Sequence, residues 1–257
     1  MNYSNGIELI FGEAPSLTMN RGLLFGENIF TSFSSWSGEI FSFSEHFNRL
    51  SQSINFLYPK LFDLNELKKC WLKISELSST NNYFRVTALV SPDKKNLAWH
   101  LYAEPFSPSF QSKELSIQKR NWPENIFKPE MKLGDYAETF YLKKDHDFLK
   151  VTNEEKVLEA STSNIFFVKN DQIYTPKSDQ KILSGLTRQA IIKLFRVEEK
   201  DLYIDDLTAF DVAFTTNSVA LINPVSKIDQ FIFRNSTSYS HKFINEFVLK
   251  YKKSISP

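Results

Sequence analysis

Two hydrophobic periods alternate along this chain and divide it into elements. Residues 7–11, 83–90 and 97–103 are apolar or alternating runs that read as strands, and 29–36 and 39–43 read as a hairpin around Ser37-Gly38. Phe47, Leu50, Ile54 and Leu57 recur at helical spacing, as do Leu64, Leu67, Trp71, Ile74 and Leu77. Strands, two helices and more strands make the first half an α+β pattern. Pro105 and Pro108 then mark a connection, predicting domains at 1–106 and 114–257 with a linker over 107–113. In the second half the runs 115–119, 148–152, 156–159, 164–168, 172–174 and 212–215 read as strands, and 136–144 as a short helix. A further helix starts near Thr187 with Ile191, Ile192, Leu194 and Phe195 as its stripe, and Phe243, Phe247, Val248 and Tyr251 mark a C-terminal helix.

Composition narrows the classes. The 257 residues are 42% hydrophobic, enough for a substantial core, and 24 of them are Phe, which suits a Phe-rich core better than a stacking surface. A net charge of +1 gives no footprint for nucleic acid or an anionic membrane. No run approaches the roughly 20 apolar residues of a membrane span. The segment MNYSNGIELIFGEAP lacks the basic region and long apolar run of a signal peptide, so the expectation is a soluble, cytoplasmic protein. The single cysteine, Cys70, forbids an intrachain disulfide and a cysteine-based metal site, and reads as a core thiol on a helix face.

The richest chemistry lies in residues 156–192. Glu159 ends the apolar strand KVLE and small residues follow it; NIFFV comes next and turns at Lys169-Asn170-Asp171 into QIYTP. Ser184-Gly185-Leu186-Thr187 then precedes a helix. A carboxylate in one place and a helix N-terminus in another suit a protonated heterocycle and a phosphate, a combination that suggests pyridoxal phosphate. Each feature also has a plain reading: Glu159 as an exposed strand-end carboxylate, Thr187 as an ordinary helix cap. Asn217 and Ser218, after the strand DVAFT, could give amides and a hydroxyl to the same phosphate.

Motifs in order along the chain carry a resemblance. E-A-S-T-S-N-I-F, then T-P, then L-S-G-L-T-R resemble the class IV aminotransferases and their lyase relatives; so do NRGLLFGENIFTSF and the helix HFNRLSQSINFL, over roughly residues 7 to 225. The resemblance implies an α+β, two-domain fold-type IV pyridoxal-phosphate enzyme, D-amino acid aminotransferase-like, that binds pyridoxal 5′-phosphate, acts on a small amino-bearing substrate and forms a homodimer. It implies that Arg49 binds the cofactor phosphate with Leu186, Thr187 and Ser218, that Glu159 pairs with the pyridine nitrogen, and that Leu183 packs on the ring. Without the resemblance Arg49 reads as a helix-surface charge. The resemblance makes Lys132, in MKLGDYAETFYLKK with Tyr136 one helical turn on, the expected cofactor-carrying lysine. Its interval to Glu159 is shorter than is usual in the family, and the shortening is placed around 144–147. Lys128 restores the interval but precedes Pro129 and lacks the motif; Lys143 and Lys144 read as helix-surface charges.

The resemblance leaves the reaction divided. In the shared steps Lys132 removes the Cα proton and acts as general acid–base. A transaminase, acting on branched-chain or D-amino acids, then passes the proton on and releases a keto acid. An aminodeoxychorismate lyase instead expels an enolpyruvyl group, leaving 4-aminobenzoate and pyruvate for folate synthesis. Thr31-Ser32 stand where transaminases commonly have Glu and lyases have hydroxyls, which favours the lyase; the same two residues also fit plain strand alternation. Departures are Glu27-Asn28 in place of Asp-Gly, and residues 91–96 (SPDKKN) in place of an Arg- and Gly-rich loop, with Arg85 or Lys95 as stand-ins for substrate-carboxylate recognition. The shortened interval also admits a catalytically silent binding relative.

Overall fold

The elements read from periodicity recur in the computed structural model, which describes residues 6–13, 19–107, 109–124, 130–143, 146–178 and 181–255. Lys128, Lys144 and Pro108, which figure in the readings above, lie outside the described residues. The chain divides into two units: Met1–Pro108 with Glu130–Tyr136, and Ser109–Pro129 with Ala137–Pro257.

In the first unit the order is β1 (Ile7–Phe11), α1 (Arg21–Phe25), β2 (Ile29–Trp36), β3 (Glu39–Ile40), α2 (Phe43–Leu57), α3 (Leu64–Leu77), β4 (Asn82–Val90) and β5 (Leu97–Pro105). The strands form one antiparallel sheet in the order β1-β5-β4-β2-β3. Ser37 and Gly38 both take positive φ at the hairpin tip. The second arm stops at Ile40, shorter than predicted, because Ser42 is left-handed and Phe43 opens α2. Phe33, Leu50, Ile54, Leu67, Ile74 and Trp99 pack in the core between sheet and helices. Cys70 is buried there, and burial pushes its thiol up to about 12, the state of a core thiol.

Helix α2 departs from its predicted face in an informative way. Its buried residues are His46, Arg49, Leu50, Ser53 and Ile54, an i, i+3, i+4, i+7, i+8 set. The apolar pair Leu50 and Ile54 faces the core while a polar row flanks it on the inside. Arg49 is therefore buried rather than a surface charge.

In the second unit the order is β6 (Lys113–Lys119), α4 (Ala137–Lys143), β7 (Asp147–Val151), β8 (Val157–Ala160), β9 (Asn164–Lys169), β10 (Gln172–Pro176), α5 (Leu186–Leu194) and β11 (Val197–Lys200). A 3-10 turn (Ile204–Ala209), β12 (Val212–Asn217), β13 (Leu221–Ile228), β14 (Phe231–Ile232) and α6 (Ser236–Ile255) complete it. The sheet runs β11-β10-β9-β12-β13-β6-β7-β8, with β14 beside β13. Asn170 and Asp171, both left-handed, make the two-residue turn between β9 and β10. Phe214 stacks on Phe166 and meets Phe243 of α6, a use of phenylalanine as core filler. Strand β13 escaped the sequence reading because Asn223-Pro224 look like a turn; Pro224 is instead buried opposite Phe214. Strand β11 escaped because VEEK is charged and half-exposed, as an edge strand is.

Truncating the centre of the first core, Ile54→Ala, is expected to cost about 3 kcal/mol of unfolding free energy, measured by denaturant titration.

Candidate active site

Lys132 is delivered by a short pairing rather than by a regular element. The Lys132 carbonyl accepts the Phe30 amide at 3.2 Å, the Gly134 amide donates to the Asn28 carbonyl at 2.7 Å, and Leu133 bridges to Ile29. The segment thus lies along the entry to β2. Gly134 is required there, because a Cβ would come within 2.5 Å of the Asn28 Cβ. Gly22 makes room for the same asparagine, whose side-chain amide donates to the Gly22 carbonyl at 3.3 Å. The bulky Asn28, a departure noted in the sequence, is accommodated by small residues on both sides.

Strand alternation sends the two predicted hydroxyls to opposite faces. Thr31 is fully buried and bonds the His46 ring nitrogen Nδ1 at 2.5 Å. Ser32 turns the other way, and its Oγ accepts from Lys132 Nζ at 3.4 Å. Phe30, on the Ser32 face, carries Lys132 Nζ 4.7 Å and the Arg85 guanidinium 3.7 Å from its ring centre. The Tyr136 ring meets Phe30 edge-on at 5.9 Å. Ser32 and Arg85 are direct partners across β2 and β4. Lys95, by contrast, is exposed and paired with Asp93 at 3.4 Å in the turn beyond β4. Burial lowers the Arg49 guanidinium to about 10, against the opposing pull of Glu130 and Tyr136. Burial, aided by the charges of Arg49 and Lys132, also holds His46 well below its usual value.

In the second unit Glu159 is 8% exposed, not a solvated strand end. Its Oε2 accepts from Asn164 Nδ2 and from the Leu183 amide, each at 3.2 Å, and its Oε1 accepts from Lys150 Nζ at 3.1 Å. Asn164 Nδ2 also donates to the Leu183 carbonyl at 2.8 Å, tying the strand carboxylate to the loop ahead of α5. Gly185 caps α5 without a side-chain hydrogen bond, and a Cβ there would overlap Asn164 Oδ1. Thr187 is therefore inside the first turn and not the cap; its Oγ1 lies 3.5 Å from Ser218 Oγ. Leu186 begins the helix. The Asn217 side chain braces its own turn, accepting the Val219 and Ala220 amides and donating to Ser163 Oγ at 3.0 Å. Just before it, the Thr215 and Thr216 hydroxyls are buried without hydrogen-bond partners.

Lys150, Asn164 and His46 belong to these clusters but were not singled out from sequence, and Gly185 was read only as part of the turn ahead of α5. Asn164 stands inside the quoted S-N-I-F motif. Lys150 gave no signal, since a lysine within FLKV reads as a solvent-facing strand position.

Residues 28–228 match the family Amino-transferase class IV. The chain belongs to the class IV aminotransferase family. It is a pyridoxal-phosphate-dependent enzyme of mixed α+β, fold-type IV architecture. Among its relatives, aminodeoxychorismate lyase of Bacillus subtilis is 27% identical over 99% of this chain and 94% of its own. D-alanine aminotransferase of Listeria monocytogenes is 24% identical over 82% and 81%. The branched-chain aminotransferase of Thermoproteus uzoniensis, solved with norvaline, shares the fold at a TM-score of 0.79 and 20% identity, covering 96% of each chain. The residues present suit the cofactor class: a buried carboxylate held by directed donors, the Thr187 hydroxyl in the first turn of a nine-residue helix beside Ser218, and orphaned hydroxyls at the end of β12. Among the described residues no helix is long and apolar enough to cross a membrane, and no group of ligating side chains could hold a metal ion.

Two outcomes follow from this geometry. Gly134→Ala is expected to displace the Lys132 segment from β2 and lower covalent loading with pyridoxal phosphate at least tenfold, read by absorbance, while circular dichroism stays native. For His46, the folded value lies below the unfolded 6.5, so the unfolded chain binds the extra proton. Its contribution to stability is present above pH 6.5 and is lost as pH falls below it. Denaturation midpoints should drop between pH 7 and pH 5, and His46→Asn should flatten that slope.

Proposed function

We propose that this enzyme is an aminodeoxychorismate lyase, releasing 4-aminobenzoate and pyruvate from 4-amino-4-deoxychorismate. The observation that carries the reading is the Ser32 hydroxyl 3.4 Å from the Lys132 amine, within the Thr31-Ser32 pair that stands where transaminases of this family commonly have a glutamate and lyases have hydroxyls. The B. subtilis relative, matched over nearly its full length, supports it.

In this reading Lys132 carries the cofactor. Arg49, Leu186, Thr187 and Ser218 take its phosphate, Glu159 faces the pyridine nitrogen, and Leu183 and Tyr136 border the ring. Asn217 holds the turn that presents Ser218. The bound cofactor supplies an electron sink for the pair left when the substrate's amino-bearing carbon is deprotonated. Lys132 Nζ takes that proton as general base. The electron pair then forms the new ring double bond as the bond to the enolpyruvyl oxygen breaks. Ser32 Oγ relays a proton to that leaving group, drawn from Lys132, and the ring becomes aromatic. Thr31 contributes by fixing β2 against His46 rather than by touching substrate. Arg85, beside the same Phe30 ring, receives a substrate carboxylate; its planar fork suits that partner. The enzyme works as a homodimer, a reading that the exposed apolar residues Leu23 and Phe25 of α1 support.

Supplied with aminodeoxychorismate, the purified protein is expected to form fluorescent 4-aminobenzoate and an equal amount of pyruvate. Ser32→Ala should lower kcat by about 10²-fold, the scale of one lost proton relay. Transfer of amino groups from branched-chain or D-amino acids to 2-oxoglutarate, with no 4-aminobenzoate, overturns the lyase in favour of a transaminase.

A further inference from the structure

Lys150 stands where a cofactor-facing carboxylate has no evident need of a lysine. It is the fourth of the five residues of β7, a strand that pairs with β6 on one side and β8 on the other. The β7–β8 pairing slips there: Leu149 opposes Ala160 and Val151 opposes Val157, so Lys150 faces both Leu158 and Glu159. Such a bulge re-aims a side chain, and here it sets the Glu159 carboxylate beside Lys150 Nζ at 3.1 Å. The pair is well sequestered, with side chains 17% and 11% exposed. The ammonium lies 5.5 Å from the ring centre of Trp122, which belongs to an apolar cluster with Phe148 and Leu158.

A buried carboxylate must be compensated, and one carboxylate carries one charge. In this structure Lys150 supplies a compensating cation, and Asn164 and the Leu183 amide add neutral hydrogen bonds. A protonated pyridine ring is a second cation addressed to the same group. Two cations on one carboxylate repel each other in a site with little water.

We propose that Lys150 is a resident counter-cation that competes with the protonated cofactor ring for Glu159, stabilising the empty enzyme and setting how firmly the ring is held. This rests on the assignment of Glu159 to the pyridine nitrogen. Lys150 is a positioning residue: it acts through Glu159 and not on the substrate. Removing its charge takes this cation away from Glu159 in the empty protein, and the ring then meets less cationic competition for the carboxylate. Affinity for the protonated ring rises while stability of the empty protein falls.

The test uses 4-deoxypyridoxine 5′-phosphate, which keeps the ring and phosphate but has no aldehyde to react with Lys132. Its Kd is measured by calorimetry from pH 6 to pH 9 in the native protein and in Lys150→Met, Lys150→Gln and Lys150→Arg, with melting temperatures of the empty and loaded proteins. Expected are about tenfold tighter binding to the Met and Gln variants at pH 6–7, a smaller difference at pH 9, and native affinity in the Arg variant. The two neutral variants should also gain more in melting temperature on loading than the native protein does. Equal or weaker binding to both neutral variants, with the native protein binding the probe, overturns this inference alone. Tighter binding to Lys150→Arg as well shows an effect of shape and also overturns it. Failure of every protein, native included, to bind the probe overturns both this inference and the cofactor assignment beneath it.

Discussion

Burying the single charge of Glu159 is the constraint around which the second unit is arranged. A carboxylate 8% exposed cannot persist unpartnered, and three different elements supply partners to it. Lys150 comes from β7, Asn164 from the start of β9, and the Leu183 amide from the loop ahead of α5. The bulge between β7 and β8 turns the carboxylate toward the lysine. Asn164 then couples the strand to the loop, and Gly185 is small because Asn164 needs the space. The start of α5, with Leu186 and Thr187, is placed by the same contacts that satisfy the carboxylate.

The first unit solves a different problem, the placement of a lysine that belongs to no regular element. Pairing with residues 28–30 gives Lys132 a fixed backbone despite the shortened stretch before Glu159. On the helix side, the polar row His46, Arg49 and Ser53 of α2 is buried beside Leu50 and Ile54. That row links the buried face of β2, through Thr31 and His46, to the guanidinium assigned to the phosphate. Strand alternation then separates a structural hydroxyl from one that meets the lysine amine.

Much of this was legible in the sequence where one side chain's type reports its neighbourhood. The stripes of α2 and α3, the turn at Asn170-Asp171 and the motif around Glu159 each carried their own signal. Arg49 read as a surface charge because an apolar stripe marks where a buried face is centred and not how far it extends. Thr187 looked like a helix cap because nothing local distinguishes a cap from the second residue of a helix. Strand β13 was hidden by Asn223-Pro224, a pair that marks turns. Lys150 was invisible: a single lysine in a strand gains meaning only from a bulge, and a register slip is set by pairing across strands rather than by any residue alone.

We propose that Lys132, and not another amine, carries the cofactor of this enzyme. Reducing the protein with borohydride after loading it with pyridoxal phosphate, followed by peptide mass spectrometry, tests it directly. The expected result is one phosphopyridoxyl group, on Lys132, and none in Lys132→Ala. A group fixed on Lys150, or on Lys132→Ala protein to the same extent as on native, overturns that assignment.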